Sequence, residues 1–196
     1  ASLTGRNKQI EMFPFSFVEY LTFMGHTYDL SGMTTKARSL LNLDFNHFLS
    51  MGGFPLVLKE DDLELINAYF SDILYRDIVA RYRLSQVSEI KEIGLYFASN
   101  VSKVFSYSTL QQISGVKSLS SVKDYLFFYE HAHLFHYVRK FDYSLKKQVM
   151  NPRKVYVADQ AFAHRLGFNF TANTGRILEN IIYLELLRRG KEVFYY

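Results

Sequence analysis

The fold is decided by residues 88–140, which read SEIKEIGLYFASNVSKVFSYSTLQQISGVKSLSSVKDYLFFYEHAHLFHYVRK. Apolar side chains recur at three- and four-residue spacing in three parts of this stretch, which predicts three helices. The first helix is predicted over 88–100, the second is short and stops at Gly115, and the third follows Ser118. A helix, a short helix, a glycine-containing turn and a longer helix follow one another in the order of a helix-turn-helix.

Two strands are predicted directly after the third helix. Residues 134–141 and 154–158 have the apolar and β-branched composition of strands, and a polar turn over 144–153 separates them. Two strands that follow a helix-turn-helix form a wing. The sequence therefore predicts a winged helix over 88–159.

The predicted wing carries most of the net positive charge. Residues 134–154 contain six basic side chains and one acidic side chain, so their net charge of +5 exceeds the +4 of the whole chain. Basic side chains attract phosphates whatever the base sequence, and a helix N-terminus with small hydroxyls suits phosphate contact. The predicted DNA-binding residues are Ser118, Ser120, Ser121, Lys123, Arg139, Lys140, Lys146, Lys147, Arg153 and Lys154. The alternative is a solvated wing on a module that binds proteins.

The residues before this unit are predicted to be mainly helical. A strand is expected over 9–13, followed by a helix that Ser16 caps and a loop over 25–35. Two short helices are expected over 35–41 and 44–51. The break at 52–55, Gly-Gly-Phe-Pro, ends them.

A long helix is expected from Asp61 or Asp62 to about Arg83. Its apolar residues have helical spacing, and Asp77 and Arg81 stand four residues apart on its other side. This pair is interpreted as part of a solvated helix face.

The last segment, residues 177–196, leads to one specific hypothesis about function. A helix is predicted over 177–189 and the beginning of a strand over 192–196. Glu179 lies on that helix, at the place where many metal-dependent nucleases carry the first of their Mg²⁺-binding acids. The alternative is that Glu179 is an ordinary surface residue of an amphipathic helix.

Several classes of function are excluded by composition and spacing. The chain of 196 residues has no cysteine, which excludes disulfides, cysteine-bound metals and thiol nucleophiles. No glycine-rich phosphate-binding loop and no Gly-x-Ser-x-Gly turn occurs. His131, His133 and His136 cannot all face one side of a helix or strand, so no metal site is predicted. No apolar run is long enough for a membrane span, and the expected location is the cytoplasm.

Several stretches in consistent order resemble one family of proteins. Leu3-Thr4-Gly5-Arg6 and the segment 13–21 resemble the end of the nucleotide-binding core in prokaryotic ATPases of the AAA+ superfamily. The Gly-Gly-Phe-Pro of 52–55 and the segment 73–79 are similar to the region that joins this core to a C-terminal domain of unknown function. Residues 153–159, 175–180 and 185–190 are similar to that C-terminal domain.

The resemblance implies both an architecture and a division of the chain. It implies the tail of an ATPase core and lid-like helices over 1–60, a connecting helix over 61–87, a winged helix over 88–159 and the start of a restriction-endonuclease-like domain over 160–196. The expected fold class is mainly α with a small β component. Glu179 would be the first acidic position of the nuclease-like domain, and Arg6 matches a basic residue near the nucleotide core.

The expected function follows from this division. The chain begins without Met and ends in an apolar run, so both ends are interpreted as cuts in a longer protein. The parent would bind ATP and Mg²⁺, whereas this chain would hold no cofactor and catalyse no reaction. DNA, a second copy or the missing ATPase core are the expected partners. A regulatory protein-binding module and the remnant of a metal-dependent nuclease are the alternatives.

Overall fold

The computed structural model describes residues 11–167 and 174–196. They form a mainly helical fold with a small three-stranded antiparallel sheet, which confirms the predicted α+β class. The helices are α1 Phe17–Met24, α2 Thr35–Met51, α3 Pro55–Glu60, α4 Leu65–Asp72, α5 Val87–Ser99, α6 Tyr107–Ser114, α7 Leu119–His131, α8 Leu145–Met150, α9 Gln160–Leu166 and α10 Thr174–Arg188. The strands are β1 Val104–Phe105, β2 Phe135–Arg139 and β3 Arg153–Val157.

The predicted cap of the first helix is confirmed. The Ser16 side chain accepts a hydrogen bond from the Glu19 backbone N–H, and the Glu19 carboxylate accepts one from the Ser16 N–H. This reciprocal pair is a capping box, which satisfies two N–H groups that the helix leaves free. The capping bonds also lower the pKa of Glu19. The strand expected over 9–13 lies partly outside the described residues, and 11–13 form no strand.

The prediction of two short helices over 35–41 and 44–51 is wrong, because α2 is continuous. Asp44 lies inside it rather than at an N-cap, and its carboxylate accepts a 2.6 Å hydrogen bond from the Tyr28 hydroxyl. Asp44 also lies 2.9 Å from His26. Because Tyr28 and His26 occupy the Asp44 carboxylate, it does not bond to nearby backbone N–H groups as an N-cap would.

The long helix expected from Asp61 or Asp62 begins later and changes its pitch. It starts with α4 and continues as a π-helical segment, Ile73–Ala80. A π-helix bonds residue i to i+5, so a pair four residues apart loses its alignment. Accordingly, Asp77 pairs with Arg76, at 3.0 Å, instead of the predicted Arg81.

The predicted helices and strands of 88–158 are confirmed, with one addition. Helices α5, α6 and α7 have the predicted order, and Ser106 and Ser118 cap α6 and α7. The addition is β1, which joins the sheet so that β3 lies between β1 and β2. In the register, Arg139 faces Arg153 and Val138 faces Lys154.

One cluster of buried side chains crosses every predicted domain boundary. It runs from Leu49 through Ile90 and Phe135 to Ile177. A smaller cluster joins α10 to the other face of the sheet, where the rings of Tyr156 and Tyr183 stack at 4.1 Å. The four predicted segments therefore share one hydrophobic core, and the boundaries between them stay a prediction.

Two predictions for the last third of the chain are corrected. The turn expected over 144–153 contains α8, none of whose side chains is buried. In place of the strand expected over 192–196, a single parallel bridge joins Tyr195 to Lys140. The helix expected over 177–189 is confirmed as α10, which begins three residues earlier.

Long-range polar contacts hold α9 and α10 in place. The buried Asn180 accepts a hydrogen bond from Val157 N–H at 2.9 Å and donates one to the Val157 carbonyl at 3.0 Å. Asp159 caps α9 through the Ala161 N–H and accepts a 2.7 Å hydrogen bond from Gly53 N–H. These contacts attach α10 to β3 and α9 to the turn that follows α2.

Candidate nucleic-acid interface

Two of the serines predicted to contact phosphate, Ser118 and Ser121, take part in the N-cap of α7. Ser118 Oγ accepts a hydrogen bond from Ser121 N–H at 3.0 Å, and the two hydroxyls lie 2.9 Å apart. The side chains of Ser120 and Lys123 are exposed. The first turn of α7 therefore offers one small hydroxyl and one ammonium group to a ligand.

A tyrosine brings two of the predicted basic residues together. The Lys123 ammonium lies 5.6 Å and the Arg153 guanidinium 5.9 Å from the centre of the Tyr107 ring. Such cation–π contacts fix long basic side chains that would otherwise be free to move. Tyr107 is not among the residues predicted for the site, although its place directly after Ser106, the N-cap of a predicted helix, is visible in the sequence.

A second pair of basic side chains lies at the end of the sheet where β2 ends and β3 begins. Arg139 and Arg153 are direct cross-strand partners, an arrangement of like charges that is unfavourable by itself. Glu130 of α7 is close enough for both arginines to lower its pKa, although burial, the larger effect, leaves that pKa raised. Glu130 is not among the residues predicted for the site, because only the fold brings the end of α7 to the arginines.

Two buried polar atoms near this pair have no hydrogen-bond partner among the described residues. They are the Tyr137 hydroxyl and the Arg153 Nε. Burial raises the pKa of Tyr137 well above its ordinary value, so the hydroxyl stays protonated. Both atoms are donors, and together they make this end of the sheet a place where an acceptor would be favoured.

The remaining wing bases lie on the surface. Lys140 follows β2, and Lys146 and Lys147 belong to α8; all three side chains are exposed. Asp142, the one acid of the wing, uses its carboxylate to accept the Ser144 N–H. Lys140, Lys146 and Lys147 are therefore exposed positive charges, as the sequence of 134–154 indicates.

Lys154 does not join the other bases. Its ammonium pairs with Glu179 at 2.5 Å, and the Tyr156 hydroxyl donates a 2.7 Å hydrogen bond to the same carboxylate oxygen. Alternation along β3 turns Lys154 to the sheet face that α10 covers, away from Arg153. Burial and the Glu179 hydrogen bond both raise the pKa of Tyr156.

The histidine cluster and Glu179 form no metal site in the described ranges. No group of three or more His, Asp or Glu side chains in 11–167 and 174–196 could hold an ion. His133 lies 3.4 Å from Glu11, His131 packs on Phe127, and burial lowers the pKa of His136 to about 4.

Glu179 is predicted to act as a structural link between α10 and β3. We expect Glu179→Ala to lower the free energy of unfolding by about 1 kcal/mol, because Lys154 and Tyr156 lose their common partner on a partly exposed surface. Urea unfolding followed by circular dichroism measures this loss. A rise of the melting temperature in Mg²⁺ that disappears in Glu179→Gln would instead support the nuclease-like hypothesis.

The described residues thus define a small α+β domain with a basic end, and comparisons with known proteins place it in a family. Residues 42–174 match a family model described as a domain of unknown function (DUF8612), and the chain belongs to this family. No helix in 11–167 or 174–196 has the length and apolar character to cross a membrane.

Two relatives cover almost the whole chain. "Uncharacterized protein MJ1544" of Methanocaldococcus jannaschii is 32% identical over 96% of this chain and 44% of its own length. An uncharacterized protein of Haemophilus influenzae is 27% identical over 97% of this chain and 48% of its own length. This chain thus spans less than half the length of these relatives. No solved structure matches it.

Proposed function

We propose that residues 87–157 are a winged-helix module that binds duplex DNA, within the C-terminal portion of an AAA+ type ATPase. The observation that carries the proposal is the combination of topology and charge. The order α5–β1–α6–α7–β2–β3, with β3 between β1 and β2, is that of a winged helix, and Lys123 of α7 and Arg153 of β3 both lie over the Tyr107 ring. In helix-turn-helix proteins the second helix of the motif enters the major groove.

Two surfaces would contact the phosphates in this proposal. Ser120 and Lys123 at the start of α7 would lie at the groove, and Arg139 and Arg153 would lie beside them. The exposed Lys140, Lys146 and Lys147 would follow the neighbouring backbone. Lys154 takes no part, since Glu179 holds it on the other face.

The test is duplex binding by this chain at two salt concentrations. We expect the double variant Lys146→Gln, Lys147→Gln to weaken binding and to reduce the slope of log affinity against log salt by about 2, because each phosphate contact contributes about 0.9 to this slope. Gel shifts at about 50 and about 200 mM salt measure both effects.

The matched control removes the same charge elsewhere. Lys36→Gln with Arg38→Gln changes two exposed bases of α2, outside the proposed module, and is expected to leave the slope unchanged. Absence of binding by the unmodified chain at the lower salt concentration, or an equal loss in both double variants, would overturn the proposal.

The ATPase part of the proposal concerns the longer protein. It is supported by the sequence resemblance and by relatives more than twice as long as the matched segment. The full-length Methanocaldococcus jannaschii relative is expected to hydrolyse ATP, and this chain alone is not. Phosphate release by the full-length protein tests this, and no release with or without duplex DNA would contradict it. Arg6, the basic residue of the resemblance, lies outside the described residues.

A second candidate, a protein-interaction module, is favoured by the surface of α8. Its Leu145 and Met150 are 76% and 74% exposed, and the neighbouring Tyr143 is 97% exposed. Exposed apolar groups of this size on a short helix are typical of contact surfaces. Self-association that Leu145→Ser abolishes, in a chain with no affinity for DNA, would support this function instead.

A further inference from the structure

A small recess lies between the beginning of α6 and the beginning of β3. Its walls also include β1 and the residues at the end of α8, and its volume is about 50 Å³. Sites for drug-sized molecules begin at about 300 Å³, so this recess has room for a group of a few heavy atoms but not for a base or a sugar. The lining residues are Phe105, Ser106, Tyr107, Met150, Asn151, Pro152 and Arg153.

Two polar side chains of the lining are available to a ligand. Arg153 Nε is buried and has no hydrogen-bond partner among the described residues, while the guanidinium lies 5.9 Å from the centre of the Tyr107 ring. Asn151 ends α8 through its backbone N–H, which leaves the side-chain amide to face the recess. Because a buried donor without an acceptor is unfavourable, a group that brings acceptor oxygens would be stabilised here.

The surroundings of the recess are positively charged. Arg153 belongs to its lining, whereas no acid does in the described part of the chain. Arg139 lies opposite Arg153 in the sheet, and the Lys123 ammonium lies 5.6 Å from the centre of the Tyr107 ring. Glu130 is an acid near the two arginines, but burial raises its pKa and so favours its neutral form. The three bases therefore outnumber the acid.

The beginning of α6 adds to this positive potential. Ser106 caps the helix by accepting the Thr109 N–H, so the N–H groups of Tyr107 and Ser108 in the first turn are left to other acceptors. Free N–H groups at the N-terminus of a helix favour anions, and phosphate above all. A guanidinium can hold two oxygens of one phosphate at the same time. The donors, the charge and the size of the recess therefore all suit a phosphate group.

We propose that this recess binds the terminal phosphate of a DNA strand. A phosphate within the strand continues on both sides into sugars, for which the recess has no room. A terminal phosphate offers three oxygens without substituents and carries about two negative charges at neutral pH. This inference rests on the proposed DNA binding, and it names the part of the DNA that Arg153 holds.

The test compares one short duplex in three forms, with hydroxyls at all ends, with 5′-phosphates and with 3′-phosphates. The unmodified chain is expected to bind one of the phosphate-bearing forms about tenfold more tightly than the hydroxyl form. Gel shifts at about 50 mM salt measure the ratio of affinities. Equal affinity for the three forms overturns this inference and leaves the proposed DNA binding intact.

Three variants that each lower the net charge by one separate the recess from the exposed surface. Arg153→Gln removes the guanidinium, and Asn151→Asp places a carboxylate in the recess, so both are expected to abolish the preference for a phosphate-bearing end. Lys147→Gln on α8 is expected to weaken all three forms alike and to keep the preference. Thermal unfolding checks that the variants are folded. A preference that survives Asn151→Asp overturns the inference, whether or not Arg153→Gln folds.

Inorganic phosphate probes the recess without DNA. Replacement of chloride by phosphate at constant ionic strength is expected to raise the melting temperature of the unmodified chain by about 2 °C, and not that of Asn151→Asp. An equal rise in both proteins overturns the recess as the phosphate site. A rise in the unmodified chain alone, combined with no binding to any duplex form, overturns the end of a DNA strand as the ligand.

Discussion

Replacement of Gly52 by alanine is expected to lower the free energy of unfolding by about 4 kcal/mol, the sum of a strained backbone and an overpacked contact. Gly52 has φ of 78° and ψ of −162°, a conformation that is almost restricted to glycine. A Cβ at this position would overlap Asp159 Oδ1 and lie 2.8 Å from the Ala161 Cβ. Neither neighbour can move freely, since Asp159 caps α9.

Gly115 provides the control for this change. It also has a positive φ, 71°, but a Cβ there would meet no atom within 4 Å. Gly115→Ala is expected to cost about 1 kcal/mol, the cost of the left-handed conformation alone. Urea unfolding followed by circular dichroism compares the two variants. Equal losses would mean that the contact with Asp159 contributes nothing.

The second large effect is expected at Asp159 itself. Asp159→Ala should lower the free energy of unfolding by about 3 kcal/mol, because it leaves the buried N–H groups of Gly53 and Ala161 without an acceptor. Asp159→Asn keeps one oxygen acceptor and should lose about half as much. The same urea measurement applies. A loss in Asp159→Asn as large as in Asp159→Ala would contradict the assignment of the loss to the missing acceptor.

The stability that depends on Asp159 should also vary with pH. Burial raises the pKa of Asp159 to about 7, although the two backbone hydrogen bonds lower it in part. Because the folded pKa lies above the unfolded one, the native state binds more protons between these two values. The contribution is therefore complete below about pH 4 and is lost as the pH rises through about 7.

Asp159→Asn isolates this pH dependence. Unfolding free energies at pH 5 and pH 8, measured for the unmodified chain and for this variant, should differ in slope, with the unmodified chain losing more stability at the higher pH. Parallel slopes would show that other groups, such as the histidines, account for the pH dependence.

The fold of 87–157 was largely predictable, because it depends on interactions between residues that are close together in the chain. Ser106 and Ser118 cap their helices through the next turn, and Gly115 ends α6 in a left-handed conformation. These are interactions within a few residues, which a sequence pattern records directly. The short β1 was missed because two residues give no alternation, and its pairing with β3 is a contact between distant segments.

The basic residues of the candidate site were predictable from the sequence, but which of them lie together in the fold was not. The bases of the wing are visible in the sequence, yet Lys154 belongs to the opposite face of β3 and is neutralised by Glu179. Conversely, Tyr107 and Glu130 stand beside Arg153 only in the folded chain. Side-chain partners depend on the sheet register and on helix packing, neither of which spacing alone specifies.

The amino-acid sequence determined the helix-rich class, the capped helices of the central unit and the excess of positive charge over 134–154, because each follows from composition or from neighbours along the chain. Tertiary structure alone decided the continuity of α2, the π-helical turn at Ile73–Ala80 and the partner of Asp159. Gly53 and Asp159 are 106 residues apart, and only the packing of α9 against α2 brings the buried carboxylate to the N–H group that it needs.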